Sequence, residues 1–175
     1  MLKVILTGPE SSGKTSLARI LADYFDVPLV EEYAREYLGK KETPQYQQED
    51  LIEIAKGQIA LEQDVKINSD KPLLICDTDL LTIKIWSMEV FGHCDATIDD
   101  LYHKSLKNFT PLYLLCSPEN IPWELDVLRE NPHDRDRLFH VYEKELLYYA
   151  KNYRILRGGV EERFDAAKRH IKSIL

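Results

Sequence analysis

The residues Gly8-Pro-Glu-Ser-Ser-Gly-Lys-Thr15 place two glycines, a lysine and a threonine in the order Gly-x-x-x-x-Gly-Lys-Thr. That spacing is a phosphate-binding loop: the glycines let successive backbone N–H groups converge on an anion, the lysine reaches the β/γ-phosphates, and the hydroxyl sits on Mg²⁺. Gly8, Glu10, Ser11, Ser12, Gly13, Lys14, Thr15 and Ser16 are therefore expected to hold a nucleoside triphosphate, with ATP and Mg²⁺ as cofactors. Glu10 is the odd member, because an acid beside bound phosphates is repelled; it must face away or meet metal-bound water. Four further groups extend the chemistry. Asp77 directly follows an apolar run, the position of a carboxylate that shares Mg²⁺ with Thr15. Asp79, two residues on, is expected to take the proton of an acceptor hydroxyl, with Glu32 as the other candidate base, although the place of Asp79 also suits capping the next helix. Glu32 and Arg35 follow another apolar run and would bind substrate hydroxyls, with a plain solvated helix start as the competing reading. Finally Arg129, Arg135 and Arg137 surround the Asn131-Pro132 turn in a segment, 119–137, that reads as a lid. Planar guanidinium groups there suit charge developing on a transferring phosphoryl group, whereas a mixed-charge surface would be worth little.

These groups need elements to carry them. Val4, Ile5 and Leu6 form the short apolar run of a strand buried on both faces, feeding the loop. Leu17, Ile20, Leu21, Tyr24 and Phe25 recur at helical spacing after it. Further strands are expected at 26–30, 72–76, 111–116 and 153–156. Helices are expected at 31–38, 48–68, 80–91, about 98–107, 138–150 and after Gly158-Gly159. Gly57 falls inside the helix at 48–68, where it costs ~1 kcal/mol relative to alanine and hints at close packing or ligand approach. Trp86, at helical spacing with Ile83 and Val90, reads first as core. Strands alternating with helices predict a three-layer α/β sandwich of the P-loop kinase kind: a five-stranded parallel sheet, helices on both faces, and an arginine-bearing lid. Acid at the carboxyl ends of its strands lies where such sheets bind ligands.

Composition frames this as one domain over 1–175, with 44% hydrophobic and 30% charged residues. The net charge of −7 argues against a nucleic-acid surface, and no apolar run approaches the ~20 residues that span a bilayer. The apolar N-terminus is expected to be a strand, not a signal peptide. Cys76, Cys94 and Cys116 form no even framework and read as reduced thiols of a cytoplasmic protein. His93-Cys94-Asp95 has no second ligand pair at zinc spacing. Among nucleotide proteins, a GTPase would need Asn-Lys-x-Asp, which does not occur. A mechanical ATPase or a nucleotide-binding regulatory module without turnover remains possible from the residues. A small-molecule kinase fits best, because the acid-ended strands and late arginines make a second pocket facing the γ-phosphate.

Four stretches together carry a family resemblance: Gly8-Pro-Glu-Ser-Ser-Gly-Lys-Thr15, Glu32-Tyr-Ala-Arg-Glu-Tyr37, Asp77-Thr-Asp-Leu-Leu-Thr82, and Pro122-Trp123 leading to Leu128-Arg129. They resemble the ribosylnicotinamide kinase domain of the NadR type. The resemblance implies ATP- and Mg²⁺-dependent phosphorylation of nicotinamide riboside at its 5′-hydroxyl, giving nicotinamide mononucleotide. It implies an acceptor site between Glu32, Tyr33 and Arg35, the turn at Asp77 and Asp79, and Trp123 of the lid. Multidomain members carry an upstream adenylyltransferase. No His-x-Gly-His string occurs here, so this chain is not expected to make NAD itself or to bind an operator.

Overall fold

The computed structural model describes residues 1–41, 45–107, 111–123, 133–149 and 152–175. Five strands, β1 (Leu2–Thr7), β2 (Leu29–Val30), β3 (Leu73–Asp77), β4 (Leu112–Cys116) and β5 (Asn152–Leu156), form one sheet in the order β2-β3-β1-β4-β5. All four neighbouring pairs are parallel. Among the described residues seven helices flank the sheet: α1 (Lys14–Phe25), α2 (Tyr33–Gly39), α3 (Gln48–Asn68), α4 (Leu80–Phe91), α5 (Ala96–Lys107), α6 (Arg135–Tyr148) and α7 (Val160–Lys172). None of the described helices is long and apolar enough to cross a membrane.

The pleat divides the core in two. Val4 and Leu6, with Leu73, Ile75, Leu112 and Leu114, face α1 and α7. Ile5, with Leu74, Cys76, Tyr113 and Leu115, faces α2 to α6. Near-complete burial of both faces explains why β3 and β4 read as unbroken apolar runs. The sheet is the predicted three-layer sandwich, with helices on both sides of five parallel strands.

Two local expectations change. The buried face of α1 is Leu17, Ala18, Leu21 and Ala22, whereas Ile20 and Tyr24 are exposed. Small alanines let α1 sit close to the sheet, and Tyr24 packs instead against Phe164 of α7. The strand expected from residue 26 shrinks to Leu29–Val30: Asp26 lies in the left-handed region as the C-cap of α1, and Pro28 has no N–H to pair.

Candidate nucleotide and acceptor cleft

β1 ends at Thr7 and the loop turns beneath the ends of β3 and β4. A Cβ on Gly8 would lie 2.7 Å from the Cys116 carbonyl oxygen, so only glycine lets the loop pass β4 this closely. Gly13 (φ +78°) caps α1, whose N-terminus and dipole open toward the loop. Lys14 Nζ and Ser12 Oγ both donate to the Pro9 carbonyl, at 2.7 and 2.8 Å. The phosphate-reaching lysine is thus folded back on its own loop.

Two distant arginines hold the loop from outside. Arg135 Nη1 donates to the Ser11 carbonyl (2.8 Å) and to that of Ile121 (3.0 Å), and its guanidinium lies 5.8 Å from the Trp123 ring centre. Arg163 of α7, 3% exposed, donates to the carbonyls of Ser12, Ser117 and Gly158, each at 2.7–2.8 Å. With those carbonyls engaged outward, the loop presents its N–H edge to a ligand. No motif announced Arg163; it reads as one more residue of an amphipathic helix.

A cleft of about 480 Å³ starts at Gly8 to Ser16, runs past Glu32 and Arg35, and reaches Thr82, Trp86 and Tyr142. Trp86, read first as core, is half-buried on its wall, with Nε1 donating to Tyr46 Oη at 2.9 Å. Glu10 lines the cleft as well. Glu32 lies at the end of β2. Burial raises its pKa above the ordinary glutamate value, opposed by Lys14 and reinforced by Asp77. Its Oε2 accepts from Arg35 Nε at 3.1 Å, and a quarter of the side chain is exposed.

The aspartate that ends β3 and the one two residues on have different surroundings. Asp77 is 2% exposed and its Oδ1 is buried without a hydrogen-bond partner among the described residues. It borders an adjoining cavity together with Thr15 and Glu32. An orphaned carboxylate oxygen beside the loop threonine fits a Mg²⁺ shell held directly or through water. Asp79 takes the capping place that its position also suited. Its Oδ1 accepts from Leu81 N (3.0 Å), capping α4, and its Oδ2 accepts from Tyr113 Oη (2.7 Å), so both oxygens are engaged and the side chain is 2% exposed.

The arginine segment also differs from expectation. α6 begins at Arg135, three residues before the expected start, so Arg135 and Arg137 belong to its first turn. Arg137 pairs with Asp134 and with Glu89, a residue that lines the cleft. Trp123 stacks on Arg135 and does not line the cleft. Arg129 lies outside the described residues. Tyr33 borders the adjoining cavity with its ring against α3. Asp95, at the start of α5, accepts from Thr97 N at 2.7 Å, and among the described residues no cluster of three or more His, Cys, Asp or Glu could hold a metal.

A phosphate loop, an acid-ended neighbouring strand and a continuous cleft define a P-loop nucleotide-binding protein. The chain belongs to the AAA domain family, whose model matches residues 3–163. No curated protein matches it. Among solved structures, NadR in complex with NR is similar at TM-score 0.76 and 22% identity, over 98% of this chain and 51% of that one. NadR with NAD and AMP-PNP gives 0.73 and 20%, over 98% and 49%. The deoxyadenosine kinase of M. mycoides, with dCMP and dCDP bound, gives 0.67 and 12%, over 98% and 100%. The chain therefore spans about half the length of the NadR chains, and the resemblance read from the motifs holds at the level of the fold.

Proposed function

We propose that this protein is an ATP- and Mg²⁺-dependent nucleoside kinase that phosphorylates the 5′-hydroxyl of nicotinamide riboside, yielding nicotinamide mononucleotide and ADP. The observation that carries this reading is the single cleft in which the phosphate loop, Glu32 and Trp86 follow one another. Such a cleft can hold a triphosphate at one end and a nucleoside at the other, with a carboxylate where the two meet. Similarity of fold to NadR bound to NR, and to a deoxyadenosine kinase, supports a nucleoside as acceptor.

In this reading Glu32 takes the proton of the 5′-hydroxyl as its oxygen bonds to the γ-phosphorus. The bond from that phosphorus to the β–γ bridging oxygen breaks, and ADP leaves with the electron pair. Lys14 leaves the Pro9 carbonyl to meet the β/γ-phosphates, while Thr15 and Asp77 would hold Mg²⁺, which supplies charge neutralisation at the phosphates when bound. Trp86 offers an aromatic wall for a planar base.

The test is acceptor-dependent ADP production across a panel of nucleosides that includes nicotinamide riboside. Turnover on the order of 1–100 s⁻¹ is expected with the true acceptor, with little ADP formed without one and none from Lys14→Ala. Clear turnover of a deoxynucleoside but not of nicotinamide riboside would reassign the acceptor. ATP hydrolysis indifferent to every acceptor would replace the kinase reading with that of a regulatory ATPase module.

A further inference from the structure

We infer that Gln58 is a positioning residue for the reaction: its buried amide clamps the backbone on both sides of Glu32, leaving that carboxylate for the acceptor hydroxyl. The inference rests on the kinase reading above. Gln58 lies mid-way along α3, is 1% exposed, and spends both ends of its amide on one short stretch of chain. Oε1 accepts from Tyr33 N at 2.9 Å and Nε2 donates to the Glu31 carbonyl at 3.3 Å. Glu32 is the residue between these two contacts. It is also the N-cap of α2, where a side chain ordinarily turns back onto the first backbone N–H groups. Glu32 makes no such bond, and the N–H of the first helical residue, Tyr33, is taken by Gln58. Among the described residues, the Glu32 carboxylate is engaged through Oε2, by Arg35.

Gly57 completes the device. A Cβ there would lie 2.0–2.5 Å from three ring carbons of Tyr33. The missing side chain lets the Tyr33 ring lie flush on α3, close enough for the Gln58 amide to reach the backbone. A glycine that weakens the helix and a buried glutamine beside it thus serve one geometry, and neither touches the reacting atoms.

The experiment compares the full chain with Gln58→Met, close in shape but without hydrogen-bonding atoms, and with Gly57→Ala, which keeps the amide and improves helix propensity while displacing Tyr33. Both should lower kcat with the acceptor nucleoside roughly 10- to 100-fold, the cost of a misplaced catalytic group. The Kd for MgADP should stay within about twofold, because the phosphate loop is untouched. The Tyr33 amide should exchange with solvent about fivefold faster in Gln58→Met, as for one lost hydrogen bond. Ile54→Val, one turn away in the same helix and wholly in the core, should keep kcat. An active wild type matched in kcat by both variants overturns the clamp alone, as does a Tyr33 amide equally protected in Gln58→Met. A wild type that phosphorylates no nucleoside overturns the kinase reading, and with it the clamp's catalytic purpose; the amide exchange, which needs no acceptor, then still separates the two failures.

Discussion

At the scale of single residues, the carboxylates show how environment assigns roles that sequence position leaves open. Asp79 and Glu32 both follow apolar strands in the chain, and Asp79 is the nearer in sequence to Asp77, the residue proposed for Mg²⁺. The difference comes from Tyr113, 34 residues from Asp79, whose hydroxyl occupies the aspartate's second oxygen. No local pattern could reveal that partner. Glu32 instead keeps a partly exposed carboxylate in the cleft, with a pKa raised first by burial. The sign for activity follows: the base form is lost as pH falls through the raised pKa. The acid limb of kcat/KM should therefore lie above the ~4.3 of a free glutamate. For stability the same shift runs the other way, contributing below the free value and lost as pH rises through the folded one. Glu32→Gln should lower kcat by roughly 10²–10⁴ and abolish the limb. Asp79→Ala should instead lower stability by about 2–4 kcal/mol, through a lost cap and an orphaned tyrosine hydroxyl. Denaturant titration and a pH–rate profile separate the two; a larger kcat loss in Asp79→Asn than in Glu32→Gln would reverse the assignment.

At the scale of elements, strands and helices were legible wherever a period was long or an apolar run unbroken, as in β3, α3 and β4. The same periodicity misplaced the start of α6, because the helix opens on three charged residues, Arg135, Asp136 and Arg137, that carry no apolar signal. Asp134 gives its carbonyl to Leu138 N at 3.0 Å and its carboxylate to Arg137. That early start decides what the arginines do. Arg137 is spent on Glu89 and Asp134, while Arg135 is aimed at the phosphate loop. Arg135 is fitted to join two backbone carbonyls, one on the loop and one at Ile121, while lying over Trp123. Lysine keeps the charge but has neither the planar fork nor the same stacking. Arg135→Lys is expected to raise the KM for ATP several-fold, with a smaller effect on the KM for the acceptor. Unchanged kinetic constants for both substrates would make Arg135 a scaffold residue without bearing on the nucleotide.

At the scale of the whole molecule, the nucleotide end is where distant parts of the chain converge. Arg163 brings together the phosphate loop at Ser12, the turn after β4 at Ser117 and the turn before α7 at Gly158. Burial lowers its pKa, and among the described residues it has no carboxylate within ion-pair distance. Glu119, whose charge does act on it, is paired with Arg157 at 2.9 Å. A buried guanidinium held by carbonyl dipoles is costly, and its place behind the phosphate loop ties that cost to holding the loop ready for a polyphosphate. Nucleotide should therefore stabilise the chain as a unit. At about 100 times its Kd, a ligand binding only the folded state contributes about 2.7 kcal/mol, or roughly 5–10 °C in Tm for a domain of this size. Arg163→Lys keeps a charge but cannot span three carbonyls, so the ligand-free Tm should fall. The rise on adding MgADP should also shrink, because the loop N–H groups are no longer held ready for phosphate. Adenosine, which lacks phosphates, separates the two effects: its smaller stabilisation should be nearly the same in wild type and variant. If the variant loses Tm but keeps the full MgADP increment, Arg163 joins three loops for stability only, and the phosphate loop organises itself without it.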